Sequence, residues 1–173
     1  MLETEQNLYV YNRYKYLSPT LGMNWQINES HSVGIRYRPG FELRSESSQE
    51  GKGVANIGGI LDDETNTDAI VLTEPSPTHE VNMYYNGRAG KLNIDFNADF
   101  HDSRSKELKT YNEISKYQDN RILNTSSNTH NRLYASKLTL TYPLFGGVLT
   151  AGSEYSNTMR YDEYINDEGY VPS

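Results

Sequence analysis

The sequence predicts an all-β protein, built as an antiparallel up-and-down meander of six to seven strands. Apolar and polar residues alternate with a period of two over several segments, and short turn sequences join neighbouring segments. No segment carries a clean apolar stripe of helical period. Because side chains alternate across a strand, each segment places its apolar residues on one face of a sheet. We expect residues 1–173 to form a single β-meander region.

The alternation is cleanest in three segments and weaker in three more. The predicted strands lie at about 17–27, 33–43, 79–86, 92–100, 133–144 and 147–160. Residues 7–16, which are rich in Tyr, are a candidate seventh strand with poorer alternation. Keeping the apolar residues of each hairpin on one face predicts registers that pair Trp25 with Ile35 and Tyr85 with Leu92. The residues predicted to form the apolar face, turned to lipid or buried, are Leu21, Met23, Trp25, Ile27, Val33, Ile35, Tyr37, Leu92, Ile94 and Phe96.

The connections between the predicted strands are alternately short and long. Short turn sequences lie at 28–31, 86–90 and 143–147, and long connections at about 44–78 and 101–131. In a meander this order places all short turns at one end of the sheet and both long loops at the other. That layout is typical of a transmembrane β-barrel, with short periplasmic turns and long extracellular loops.

Strand length and aromatic residues also favour a segment of such a barrel. A membrane-crossing strand needs about 9–11 residues, which the clearest segments provide. Aromatic residues lie near both ends of the apolar stripes, as in the aromatic girdles of membrane barrels. They are Trp25, Tyr85 and Tyr142 by the short turns, and Phe41, Phe100 and Tyr134 toward the long loops. A soluble β-sandwich binding module, with carbohydrate as a candidate ligand, also alternates and stays the second hypothesis.

Three of these hairpins resemble the β-barrel of outer-membrane TonB-dependent receptors of Gram-negative bacteria. The resemblance rests on YLSPTLGMNWQINESHSVGIRYR (16–38), HEVNMYYNGRAGKLNIDFNADF (79–100) and ASKLTLTYPLFGGVLTAGSEYSNTMR (135–160). It implies a 22-stranded barrel with a plug domain, located in the outer membrane. It also implies nutrient uptake driven by an inner-membrane energy-coupling complex. Since the chain shows no plug-like segment and too few strands, it is similar to an internal piece of such a receptor.

Composition limits the other function classes. The net charge of −7 gives no electrostatic support for nucleic-acid binding. The chain has no Cys, so disulfide scaffolds, thiol nucleophiles and Cys-based zinc sites are excluded. No run of 18 apolar residues predicts a membrane-spanning helix, and the acidic start does not look like a signal peptide. We therefore expect either a cytosolic protein or a chain cut from a longer one.

No motif predicts an enzyme, a metal or a cofactor. The lumen-facing charges expected on the polar strand face are Arg36, Arg38, Glu42, Asp95 and Asp99. The residues predicted to contact a ligand, a small molecule or a glycan, are Asp62, Asp63, Glu64, Asp68, Tyr111 and Tyr117. The acidic members lack the spacing of a calcium loop, so a solvated loop is the simpler interpretation. An isolated fragment of this kind should self-associate through its open edges and apolar face.

Overall fold

The computed structural model describes residues 2–116 and 119–166 of the chain. They form eight antiparallel strands in one sheet. The strands are β1 (Leu2–Leu17), β2 (Leu21–Asn28), β3 (His31–Ile57), β4 (Ile60–Glu74), β5 (Thr78–Ala89), β6 (Leu92–Ser115), β7 (Arg121–Leu144) and β8 (Gly147–Asn166). The predicted all-β antiparallel fold is confirmed, with one strand more than the upper expectation. Among the described residues no helix is long and apolar enough to span a bilayer.

The eight strands occupy six positions across the sheet, which we call strand lines. β1 and β2 share one line, and β4 and β5 share another. β1 and β2 both pair with β3, one with its second half and the other with its first half. On the other side of β3, β4 pairs with its second half and β5 with its first half. The interruptions fall at Ser18-Pro19-Thr20 and Pro75-Ser76-Pro77. Proline has no N–H to donate to a ladder, which explains why the strand lines break there.

The three short turns predicted at one end are present there. They are Glu29-Ser30, Gly90-Lys91 and Phe145-Gly146. Gly90 has φ of 62°, a conformation that costs glycine little because it has no Cβ. At the far end, Gly58 and Gly59 have φ of 59° and 82°, which suits the two central positions of a type I′ hairpin turn.

The prediction of long irregular loops at about 44–78 and 101–131 is wrong, because most of these residues form strands. β3 and β4 continue through most of the first segment as a hairpin, and β6 and β7 continue through most of the second. Their Ser, Asn, Asp and Gly residues have low strand propensity, but propensity is weak when backbone ladders can form on both sides. These segments do lie at the end opposite the three short turns.

The predicted registers place the correct residues on each face, but they pair the wrong residues, because each is shifted by an even number of positions. In the first hairpin Trp25 pairs with Val33, where Ile35 was expected. In the second hairpin Tyr85 pairs with Phe96, where Leu92 was expected. A shift by an even number of residues keeps every apolar side chain on its face, so alternation cannot detect it. The tighter turns actually formed decide the register.

The described residues form a single layer with almost no core. Among hydrophobic side chains Ala69 is buried, and among polar ones Thr125 is buried. No second sheet packs on the first within the described ranges, so the alternative β-sandwich is not the architecture of these residues. Most large apolar side chains therefore remain accessible.

Candidate functional site

One face of the sheet carries a continuous apolar band. We call this the front face; Met23, Ile35, Met83 and Phe96 lie on it, and the opposite side is the back face. Cross-strand partners join the band row by row, as in Met23–Ile35–Met83. The band continues onto β7 and β8, where Leu140 pairs with Ala151. Since directly opposed residues share a face, the register itself assembles this surface.

Nine of the ten residues predicted for the apolar face belong to this band. They are Leu21, Met23, Trp25, Val33, Ile35, Tyr37, Leu92, Ile94 and Phe96. Ile27 lies at an irregularity of the β2–β3 ladder and has no register partner there. Met23 is 63% exposed and Trp25 59% exposed, so this sheet leaves the band uncovered. Patches of this kind usually mark a surface that contacts a membrane or another protein.

Two tyrosine–histidine pairs lie on the front face, between β3 and β5. His31 Nδ1 lies 2.7 Å from Tyr85 Oη, and the rings are stacked with centroids 6.0 Å apart. Tyr37 Oη lies 2.7 Å from His79 Nδ1, with centroids 6.1 Å apart. Each pair places an amphipathic ring beside a polar ring, an arrangement suited to a border between apolar and aqueous surroundings.

The two pairs have a sequence signal that the alternation did not reveal. His31 and Tyr37 are separated by five residues, and so are His79 and Tyr85. When two strands with this repeated spacing run antiparallel, any register that brings one His to the Tyr of the other strand also brings the second His and Tyr together. A search for repeated His–Tyr spacing would have found both contacts.

The band ends abruptly toward the far end of β6 and β7. Phe100 and Tyr134 are the last aromatic pair, with ring centroids 5.1 Å apart. The next residues on the same face are Asp102 and Arg132, which are register partners. Arg132 Nε donates to Asp102 Oδ2 at 2.8 Å, and His130 Nε2 lies 2.9 Å from the same oxygen. The front face thus changes from apolar to charged within one register step.

The back face is polar and carries cross-strand pairs. Arg38 Nε donates to Glu80 Oε2 at 2.7 Å, and His101 Nδ1 lies 3.7 Å from the same carboxylate. Asn82 Nδ2 donates to Asp99 Oδ1 at 2.7 Å. With Arg36 these residues line a depression of about 130 Å³.

Four of the five charges predicted on the polar strand face, all but Arg36, have different neighbours. Arg38 forms an ion pair with Glu80, and Asp99 accepts a hydrogen bond from an amide side chain. Asp95 Oδ1 accepts from Asn97 Nδ2 at 2.9 Å, and Glu42 is the register partner of Tyr16. The partners that the structure gives these charges are therefore other residues, and not one another.

The predicted ligand-contact residues do not form one cluster. The four carboxylates lie on strand β4, because the loop that was expected there is a strand. Glu64 and Asp68 share a face, whereas Asp63 points to the other by alternation. Tyr111 is the partner of Ala69 and so lies on the face opposite Asp68. Tyr117 lies outside the described residues.

Local partners account for part of this acidic stretch. Glu64 Oε1 lies 2.8 Å from Lys52 Nζ, and the hydrogen bond from Lys52 lowers the pKa of this carboxyl. The backbone oxygen of Asp62 accepts from Lys116 Nζ at 3.0 Å. Across the described ranges, no group of three His, Cys, Asp or Glu residues is placed to hold a metal ion.

Comparisons with known proteins identify no family. No protein-family model matches the chain, and no curated protein matches it. Among solved structures, 96% of the chain aligns with a chain of the membrane pore complex of pneumolysin, at 6% identity and a TM-score of 0.14. The aligned part is 31% of that chain, and a likeness this weak carries no conclusion about fold or function.

Proposed function

We propose that this chain is a segment of an outer-membrane β-barrel receptor for nutrient uptake, of the TonB-dependent type. In this proposal the apolar band contacts the hydrocarbon of a Gram-negative outer membrane, and the back face lines the barrel interior. The far-end hairpins extend beyond the membrane, where they and the back face meet a small-molecule or glycan ligand. An inner-membrane energy-coupling complex drives uptake. We expect no catalysis and no nucleic-acid binding.

The observation that carries the proposal is the slope of the apolar band between β3 and β7. On β3 the regular apolar run covers 33–41 and stops before Leu43, which has no register partner at the irregularity of the β1–β3 ladder; its midpoint is Tyr37. On β7 the apolar run covers 134–144, and its midpoint is Thr139. Register partners on β6 and β5 connect Thr139 to Ser32 on β3, so these two residues lie level with each other in the sheet. The midpoint thus moves by about five residues, or ~16 Å, over three strand spacings of about 4.8 Å.

This displacement corresponds to a slope of roughly 45–50° between the band and the rows of register partners. Strands of membrane barrels are tilted by about 35–45°, so an apolar layer of constant height crosses them obliquely. The runs on β3 and β7 also match the 9–11 residues that a tilted strand needs to cross a membrane. A sloping band that ends at the His31–Tyr85 pair on one side and at the Asp102–Arg132 pair on the other is what such a layer requires.

Open edges give a second line of support. β8 and the β1–β2 line each lack a partner on one side in the described sheet. Edges of soluble proteins are usually short or protected, because unpaired N–H and C=O groups recruit other strands. Between Gly147 and Asn166, β8 contains no Pro and no Lys. Further strands of a closed barrel would satisfy both edges.

Lipid contact on alternate residues tests the proposal. In the intact protein reconstituted into vesicles, a fluorophore on Met23→Cys should be quenched by lipids brominated on their acyl chains. The neighbouring variant Asn24→Cys is the matched control, because it places the same label on the back face. Equal and weak quenching at both positions would reject membrane contact by the front face.

Ligand uptake needs a separate test, since membrane insertion does not identify cargo. Back-face variants such as Arg36→Ala and Asn82→Ala should reduce ligand binding or uptake while the quenching of Met23→Cys stays unchanged. The front-face variant Ile35→Val is the control and should leave binding unchanged. Unaltered binding in both back-face variants would remove the receptor assignment but not the membrane assignment.

A further inference from the structure

The β7–β8 turn holds an aromatic residue in a backbone conformation that L-residues rarely adopt. Phe145 has φ of 48° and is followed by Gly146 with φ of 80°. Phe145 is the only non-glycine residue with positive φ among those described. Glycine or asparagine would occupy this position with less strain. A residue that keeps such strain is a reason to look for a function.

The same side chain is also left in solvent. Phe145 is 99% exposed, and nothing in the described part of the chain covers it. Its neighbours Leu144 and Val148 are exposed as well, at 41% and 71%. The tip of this hairpin is therefore an apolar projection, unfavourable in water both in its backbone and in its surface.

The other two turns at this end are polar. At Glu29-Ser30 the backbone N–H of Ser30 donates to Asn28 Oδ1 at 2.9 Å. At Gly90-Lys91 the Nε of Arg88 donates to the backbone oxygen of Gly90 at 3.0 Å. An apolar tip is therefore a feature of one hairpin and not of this end of the sheet.

The slope of the apolar band distinguishes the β2–β3 turn from the β7–β8 turn. On β3 the band stops at Val33, and polar residues separate it from the Glu29-Ser30 turn. On β7 the band continues through Tyr142 to Leu144, so it reaches the turn itself. A layer that covers the band at constant height therefore ends beside Phe145. Aromatic side chains favour the boundary between headgroups and acyl chains.

We propose that Phe145 inserts into the headgroup–acyl boundary of the membrane and anchors the β7–β8 turn there. This inference rests on the proposed membrane function of the front face. The ligand is a lipid surface, and the Glu29-Ser30 turn lies in water on the same side. The strained backbone then serves to point the ring away from the strands and into the interface.

A label scan in the intact protein tests this proposal separately from the proposed function. Phe145→Cys, Ser30→Cys and Met23→Cys each carry the same environment-sensitive fluorophore, after any cysteine elsewhere in the protein has been replaced. We expect a blue-shifted emission at position 145 that is lost with quenchers placed near the headgroups. The label at 30 should show water-like emission, and the label at 23 should respond to deep quenchers.

Each other outcome overturns the inference in an identifiable way. Deep quenching at 23 with water-like emission at 145 refutes the anchor and keeps the membrane assignment. A blue shift at 145 without lipid quenching refutes it in favour of an apolar pocket on a protein partner. Absence of lipid quenching at both 23 and 145 refutes the anchor together with the membrane assignment.

A second measurement uses the native backbone strain. Phe145→Asn should relieve the positive-φ strain but remove the aromatic anchor. We expect this variant to lower lipid quenching of a label on the adjacent Leu144→Cys, whereas Phe145→Trp should preserve it. Equal quenching of the Leu144 label beside Asn and Trp would contradict anchoring by the ring.

Discussion

The half of the sheet near the short turns and the half near the Gly58-Gly59 turn use the same backbone ladders with different side chains. In the first half, one face is apolar and the other polar. In the second half, residues such as Lys52, Glu64 and Asp68 interrupt any apolar run. β3, β4 and β6 still pair there, with one irregularity in the β3–β4 ladder between Ala55 and Asn56. The comparison shows that the same backbone pairing forms both halves of the sheet. The halves differ in their side chains, which make one face apolar in the first half and leave both faces mixed in the second.

Introducing a charge should affect the two halves very differently. Met83→Arg lies in the middle of the apolar band, and Ile70→Arg lies in the second half; the native side chains are 47% and 54% exposed. In a membrane we expect Met83→Arg to destabilise the intact protein by about 2–4 kcal/mol and Ile70→Arg by less than about 1 kcal/mol. Denaturant unfolding from vesicles measures both. Similar losses for the two variants would contradict the proposed membrane boundary.

Adding one methyl group to a strand glycine should have opposite signs in the two halves. A Cβ at Gly34 would overlap the ring of Tyr84 and the side chain of Asn24, so Gly34→Ala should cost about 1–3 kcal/mol. A Cβ at Gly51 would meet its nearest atom, the backbone oxygen of Thr67, at 3.6 Å, an ordinary contact. Gly51→Ala should therefore stabilise by about 0.5–1 kcal/mol.

Unfolding of the two alanine variants beside the unchanged protein decides this prediction. A destabilised Gly51→Ala would mean that glycine is needed in the second half for a reason other than space. A neutral Gly34→Ala would mean that the Tyr84 ring moves aside without cost.

Sequence reasoning succeeds in the first half because one face of the sheet is apolar and the other polar, which produces alternation along each strand. Trp25, Ile35 and Phe96 could be assigned to one face from the sequence alone, because strict alternation of apolar and polar residues indicates a strand with two different faces. The same reasoning fails for β4, because both of its faces are mixed and no alternation marks it as a strand. It pairs locally with β3 through the Gly58-Gly59 turn, but its other partner, β6, is distant in the chain, and local propensity does not encode that pairing.

The candidate site was predictable to a similar degree. The apolar face followed from alternation, whereas the ligand-contact group at Asp62–Asp68 was inferred from a loop that is a strand. Phe145 was visible only as part of a turn sequence. Its positive φ and full exposure depend on the turn register, which parity cannot fix.

The border of the band can be tested by removing one hydroxyl. Tyr85→Phe deletes the hydroxyl that lies 2.7 Å from His31 Nδ1 but keeps the stacked ring. We expect a loss of about 0.5–1.5 kcal/mol, the usual net value of a hydrogen bond. Tyr9→Phe is the control, because Tyr9 is 72% exposed in the second half, and it should change stability little. Equal effects in equilibrium unfolding would contradict a structural role for the pair.

The smallest expected effect concerns pH in the second half. The hydrogen bond from Lys52 lowers the pKa of Glu64 below its usual value of 4.5. Its stabilisation is therefore present above pH 4.5 and lost as pH falls through the lower, folded-state pKa. Wild type and Glu64→Gln should differ slightly in unfolding at pH 7 and converge at low pH. Because both side chains are largely exposed, solvent screening keeps the effect small. A difference that grows on acidification would contradict this sign.

The most direct test of the central claim is a cysteine scan along β3 in the intact protein in vesicles. One label at a time is placed at each of positions 33–41 and 46–54, and its quenching by acyl-chain bromines is measured. The account predicts quenching with a period of two over 33–41, strong at odd positions, and no quenching over 46–54. Uniformly weak quenching in both ranges, or the same alternation continuing through 46–54, would contradict it.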